Sequence, residues 1–290
     1  MLIVLFFGAG GLTGWLVTRS GDAVRAAWPT ILRVQIIVTA VALTGVAAWR
    51  TTRLTQLGVP LLLSASLLVP YAAATFARGR RNVGEVALES WSVSPNSSYW
   101  VVPVAAALTG PVGTMIAALV SVPNTAINMW WVALMRRHAP RTQRRSSGWA
   151  DYSPLLAAVV GFSLRFVHPA PPSTREVLAL AGPLLAFSGA ALVSGSIFHP
   201  HTVAIKRTRE SLWRWSWLTS IRVAYCLIIA ALVSSTPLKI VAVLTAFSAP
   251  SFGPIQLAVL YGYRSSVVRS AMSWGWVMAP CGVAIAAYLR

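Results

Sequence analysis

Apolar segments of about 20 residues recur along the whole chain, and a bilayer's hydrocarbon core demands helices of about that length, within roughly 17 to 25 residues. Ten segments meet or approach this demand: 1–17, 28–48, 58–77, 85–108, 112–135, 152–168, 176–197, 213–233, 238–262 and 270–289. Of the 290 residues, 56% are hydrophobic and only 10% charged, and mean hydropathy is +0.67. A soluble domain carries about 25% charged residues, so this chain has too little polar side chain to cover a water-facing surface. Disorder is excluded by the same shortage. The expected fold class is all-α, a polytopic membrane protein of about ten transmembrane helices. The opening segment lacks the basic region and small-residue cleavage site of a leader peptide, so it is expected to be the first span.

The 24 basic residues, 22 of them Arg, outnumber 6 acidic ones and give a net charge of +18. In a soluble protein this would suggest nucleic acid, but no nucleic-acid-binding pattern accompanies it. Loops facing anionic lipid explain it better. With the N-terminus outside, the inner loops hold 16 basic residues and the outer loops and C-terminus 5. The expected location is the cytoplasmic membrane, with both termini extracytoplasmic. Arg50 and Arg53 fall on the poorer side of this bias. Arg33, Arg165 and Arg222 fall inside spans.

The longest polar stretch, 136–151, divides the chain into five-span halves, 1–135 and 152–290, joined by a basic cytoplasmic linker. Halves with an odd number of spans run oppositely through a bilayer, the condition for an inverted repeat. Each half carries a Pro-centred break in its fourth span. Pro95 lies 93 residues beyond Leu2, and Pro250 lies 98 beyond Tyr152.

Pro removes a backbone donor and clashes with the preceding turn, and freed backbone groups inside a membrane must face protein or a wet cavity. Asn96, Ser97 and Ser98 follow the first break; Ser251, Gly253 and Pro254 follow Pro250. A half-helix that restarts after a break aims its free N–H groups and positive dipole end at an anion. Two such breaks at matching offsets point to a midplane binding site, whereas either alone would be a simple kink. Pro123 is read as a kink. Asn124 and Asn128, four residues apart, share one helix face, which either hydrogen-bonds to a neighbouring helix or lines a cavity. Gln35 suits helix–helix hydrogen bonding. Arg33 and Arg222 are expected to snorkel to the interface, unless one faces the cavity and holds an anion. Glu89 precedes the first break and is either a proton carrier or a partner of Arg78, Arg80 or Arg81.

No catalytic set, phosphate-binding loop or metal-ligand cluster is visible, and no cofactor is implied. Cys226 and Cys281 lie in apolar runs and read as small hydrophobes.

These residues resemble the auxin efflux carrier family, of the bile-acid/arsenite transporter type, which includes PIN-type exporters and bacterial malonate or malate permeases. The family's fourth-span pattern is approximately N-T-G-F-x-G-x-P. Here it reads Asn96-Ser97-Ser98-Tyr99-Trp100-Val101-Val102-Pro103, with Asn, aromatic and Pro in register and both Gly positions replaced. Gly110 and Gly113 are similar to the family's following glycines, and Pro250, Ala258, Tyr261 and Gly262 to its ninth-span motif. The opening GAGGLTGWLVTRSG resembles its first span and turn, and Asn128 stands where its fifth span often carries Asn. The resemblance implies ten helices in two inverted five-helix repeats, with broken helices crossing at spans 4 and 9. It implies small organic anions as substrates and a homodimer as the assembly.

The expected function is a secondary transporter or facilitator for a small carboxylate, not an enzyme. Asn96, Ser97, Ser98, Tyr99, Asn124, Asn128, Ser251 and Gly253 would contact substrate, with Pro95, Pro250 and Pro254 holding the breaks. The alternative is a non-transporting membrane scaffold or sensor, motivated by the replaced glycines.

Overall fold

A computed structural model describes residues 2–51, 54–78, 83–138, 153–197, 209–249, 251 and 266–290. Among them the chain is helical, with no strand. The elements are α1 (Leu2–Arg19), α2 (Asp22–Arg50), a 3-10 turn (Leu54–Leu57), α3 (Gly58–Ala65), α4 (Leu68–Arg78) and α5 (Val83–Ser92). A π turn (Ser97–Val101) leads into α6 (Val102–His138). Then come α7 (Ser153–Val167), α8 (Thr174–Ile197), α9 (Arg209–Leu232), α10 (Thr236–Ala246) and α11 (Ser266–Tyr288).

Three helical stretches among the described residues are long and apolar enough to cross a membrane: Gly58–Ala77, Ser97–His138 and Arg209–Leu232. Shorter apolar helices include Ser153–Val167, Thr236–Ala246 and Trp274–Tyr288. Large apolar side chains stay exposed along these helices: Val4, Val38, Val160, Phe166 and Ile228 are each more than half accessible. Such surface suits lipid and not water. The chain is thus an all-helical protein with the character of a membrane protein.

The segment 97–138 is bent where Gly110 adopts φ 62° and ψ −149°. Only glycine takes that conformation without strain, and Pro111 follows with the φ that a new helical turn needs. Residues before and after Gly110 therefore form two separate helical pieces. The helix continues through Pro123.

Helix pairing rests on small residues. α1 lies along α8, and α2 along α7. A Cβ at Gly10 would sit 2.2 Å from the Phe187 carbonyl oxygen, and one at Gly14 2.4 Å from that of Ala191. Across the other pair, a Cβ at Gly161 would sit 2.2 Å from the Gly45 carbonyl oxygen. Between lipid-facing helices no hydrophobic effect drives association, so close backbone approach and the dispersion it permits supply the adhesion. The largest core cluster joins α2, α3, α6, α8, α9 and α10 through residues such as Leu43, Leu63, Val101, Leu185 and Ile240.

Replacing Gly10 with Leu should force α1 from α8 and cost about 1–3 kcal/mol. The same change at Gly8, where a Cβ meets nothing within 4 Å, should cost nothing. Thermal unfolding of both variants in detergent checks this; equal midpoints would refute the packing account.

Candidate functional site

The first break is built by sequence in a few steps. α5 ends at Ser92 because Pro95 has no N–H to continue the ladder. Its serines turn inward and bond to the helix itself: Ser90 Oγ to the Val86 oxygen at 2.7 Å, Ser92 Oγ to that of Glu89 at 2.7 Å and Ser94 Oγ to that of Ser90 at 2.9 Å. Residues 86–97 are all buried, so the break faces protein and not lipid.

Asn96 restarts the helix. Its side-chain Oδ1 accepts the Tyr99 N–H at 3.2 Å, an N-cap, and its carbonyl accepts the N–H groups of both Trp100 and Val101 at 3.1 Å. The Ser97 N–H donates to the Pro95 oxygen at 2.9 Å. Much of the half-helix N-terminus is therefore satisfied from within the chain.

The second break follows α10. The Phe247 N–H closes the last turn on the Val243 oxygen at 3.0 Å, and Ser248 and Ala249 leave the helix, both buried. Here the breaks meet. The Asn96 N–H donates to Ser248 Oγ at 2.8 Å and to the Ala249 oxygen at 3.1 Å. Ser251 is a half-buried, non-helical residue just beyond. Pro250, Gly253 and Pro254 lie outside the described residues.

Arg222 binds the crossing together. It lies near the middle of α9 and is 3% exposed. One terminal nitrogen donates to the Val93 oxygen at the end of α5, the other to the Ala246 oxygen at the end of α10, at 2.9 Å. This departs from the expected snorkelling. Thirteen residues at 1.5 Å each place Arg222 about 20 Å along α9, beyond the reach of a side chain seeking that end. The ends of α5 and α10 instead offer carbonyls beside it.

A cavity of about 220 Å³ opens next to the first break. Asn96 and Tyr99 line it from the break, Phe7 and Gly11 from α1, Gly189, Ala190 and Ser194 from α8, and Trp276 from α11. Gly189 makes room, since a Cβ there would lie 2.8 Å from the Tyr99 Cβ. Behind Tyr99, Trp100 packs between Phe7 and Trp276, with ring centroids 5.7 and 5.6 Å away. The accessible wall is almost wholly apolar, and among its residues there is neither a cation nor a carboxylate.

Of the residues singled out by sequence, Asn96 and Tyr99 line the cavity. Ser97 is buried and Ser98 half-buried in the turn between them. Asn124 and Asn128 do not line it. Their stripe continues to Trp131 and Met135, which pack with Leu67, Leu88 and Trp91. Asn124 is 1% exposed, and neither of its polar side-chain atoms has a hydrogen-bond partner, nor has Asn128 Oδ1. Glu89 is buried and absent from the cavity wall. It pairs with Arg214 of α9 at 3.7 Å, and Arg214 also bonds Glu210 one turn earlier. Arg214, a helical arginine of the second half, is thus a partner, while Arg80 and Arg81 lie outside the described residues. Sequence reasoning missed Phe7, Gly11, Gly189, Ser194 and Trp276. Nothing in the sequence marked these residues as lining a cavity. Among the described residues no three His, Cys, Asp or Glu side chains gather to hold a metal.

Changing Arg222 to Met should leave two buried carbonyls bare, at about 1–3 kcal/mol each. Arg222→Lys, with one compact ammonium in place of a fork, should fall between. Thermal unfolding in detergent reads the order; a Met variant as stable as the parent would remove Arg222 from this role. Comparison with models of known protein families and with curated protein sequences gives no match for this chain.

Proposed function

We propose that the protein is a secondary transporter or facilitator that moves a small organic anion across the cytoplasmic membrane, working by alternating access around the crossing of two broken helices. The hydrogen bonds of the Asn96 N–H to Ser248 Oγ and the Ala249 oxygen carry this reading. They join breaks from opposite halves of the chain, beside a cavity.

Two further features support the architecture behind it, ten spans in two inverted five-helix repeats. The half-helices α5 and α10 have 10 and 11 residues, about 15–17 Å each, or half of a core about 30 Å thick. The pairings of α1 with α8 and α2 with α7 join first span to seventh and second span to sixth. A two-fold axis in the membrane plane relating the halves would exchange these two pairs, as inverted repeats require.

The cavity supports a small solute, since drug-sized ligands take about 300–1,000 Å³. Its wall is mostly apolar, with Asn96, Tyr99 and Ser194 as its residues bearing polar side chains that could turn toward a carboxylate, and the absence of a carboxylate from its wall spares an anion repulsion. In this reading Asn96 and Tyr99 contact the substrate, Ser97 and Ser98 shape the turn, and Pro95 keeps α5 from closing onto it. Asn124 and Asn128 serve elsewhere.

Asn96→Ala should abolish uptake of the carried carboxylate by proteoliposomes while leaving membrane insertion intact. Full uptake by a well-expressed variant would dismiss the site. Failure of the parent protein to bind or move any carboxylate would favour the second reading, a non-transporting scaffold or sensor.

A further inference from the structure

Arg50 runs against the charge bias of the loops, and Arg165 sits inside an apolar helix; the structure brings both to one place. α2 ends at Arg50, and its last residues are fastened to the segment joining α7 and α8. Trp49 Nε1–H donates to the His168 oxygen at 2.8 Å, and Arg50 donates to Thr174 Oγ1 at 2.7 Å. Arg165 donates to the oxygen of Thr51, the residue after Arg50, at 3.3 Å. Both guanidinium-bearing residues are half-buried. Among the described residues neither pairs with a carboxylate. Each shows among those residues one hydrogen bond to a neutral oxygen, fewer than the five donors a guanidinium carries. Arg165 reaches the residue that follows Arg50, and an anion within reach of both would offset their like charge.

The surroundings say which anion. From Arg165 an apolar track runs along α7: Val167, Leu164, Val160 and Leu156 are 83%, 38%, 56% and 53% exposed. Phe166, 77% exposed, carries the Arg165 guanidinium over its ring at 4.6 Å. A free phosphate has no use for that track, whereas acyl chains lie along it. Trp49 beside the pair fits the headgroup level of a bilayer.

We propose that Arg50 and Arg165 form a binding site for the phosphate of an anionic phospholipid, whose chains follow the exposed face of α7. The lipid bridges the ends of α2 and α7, the pair held by Gly45 and Gly161, and strengthens the join between the two halves. The inference is independent of the transport reading.

The test is titration of the detergent-purified full chain with short-chain phosphatidylglycerol, followed by native mass spectrometry and thermal unfolding. Phosphatidylcholine and inorganic phosphate run as separate arms. Phosphatidylglycerol should bind and raise the unfolding midpoint. Arg50→Gln or Arg165→Gln should weaken it about tenfold, the worth of one charge-assisted hydrogen bond. Arg136→Gln, an equal charge change at the far end of α6, should bind as the parent does. If Arg165→Gln fails to fold, Arg50→Lys, which keeps charge and loses the fork, should still bind more weakly than the parent. Equal binding of phosphatidylcholine, an equal shift from inorganic phosphate alone, or unchanged affinity in the Arg50 variants would overturn the site.

Discussion

The crossing depends on how a lone guanidinium is balanced. A charge inside an apolar helical protein is costly unless something of opposite sign is near. Arg222 meets no carboxylate in its hydrogen bonds; it meets the carbonyl ends of α5 and α10. Each helix C-terminus carries about −0.5 of an elementary charge, so two of them come to about −1, which matches the guanidinium. The same contact solves a second problem. Both half-helices end inside the protein, where their last carbonyls have no water. One side chain from a third helix thus answers three electrostatic debts at once, and it does so only when both breaks stand side by side.

Around that point the fold uses two kinds of adhesion. Near the crossing it is polar, with Asn96, Ser248 and Arg222 exchanging hydrogen bonds between buried groups. Away from it, close approach through Gly10, Gly14, Gly45 and Gly161 holds α1 to α8 and α2 to α7. Polar bonds demand fixed geometry, while glycine contacts tolerate sliding until a Cβ intervenes. That division suits alternating access, in which one group of helices moves against another.

Much of this was legible in the sequence, and the reasons are local. Pro95 announces its break because a missing N–H acts on its own helix, and Gly110 marks a turn that only glycine fits well. The cavity was legible only where it meets the break, at Asn96 and Tyr99. Its other walls come from residues far apart in the chain, and Phe7, Ser194 or Trp276 looks like any lipid-facing or packing residue until the fold assembles them. Arg222 was ambiguous for a related reason. Sequence gives position along a helix, but which neighbours stand around it is a tertiary fact. Asn124 and Asn128 share a face as their spacing requires, yet that face turns toward Leu88, Trp91 and Trp131. Their unpartnered polar atoms mark a buried spot where ordered water would satisfy them.

The way Arg222 is spent also shapes what the cavity can select. Its charge is committed to two helix ends, and it does not line the wall where a substrate would rest. Tyr99 N–H, the other obvious source of positive potential, is capped by Asn96 itself. A carboxylate in this cavity would therefore be held by neutral donors and the residual field of a half-helix, which bind an anion more weakly than an arginine fork does. Weak anchoring lets a ligand leave, as a carrier requires. It also shifts discrimination from charge to fit against Phe7, Tyr99 and Trp276, so that molecules of equal charge are sorted by the shape of their apolar part. An additional cation in the wall would raise affinity and slow release, and this site does without one.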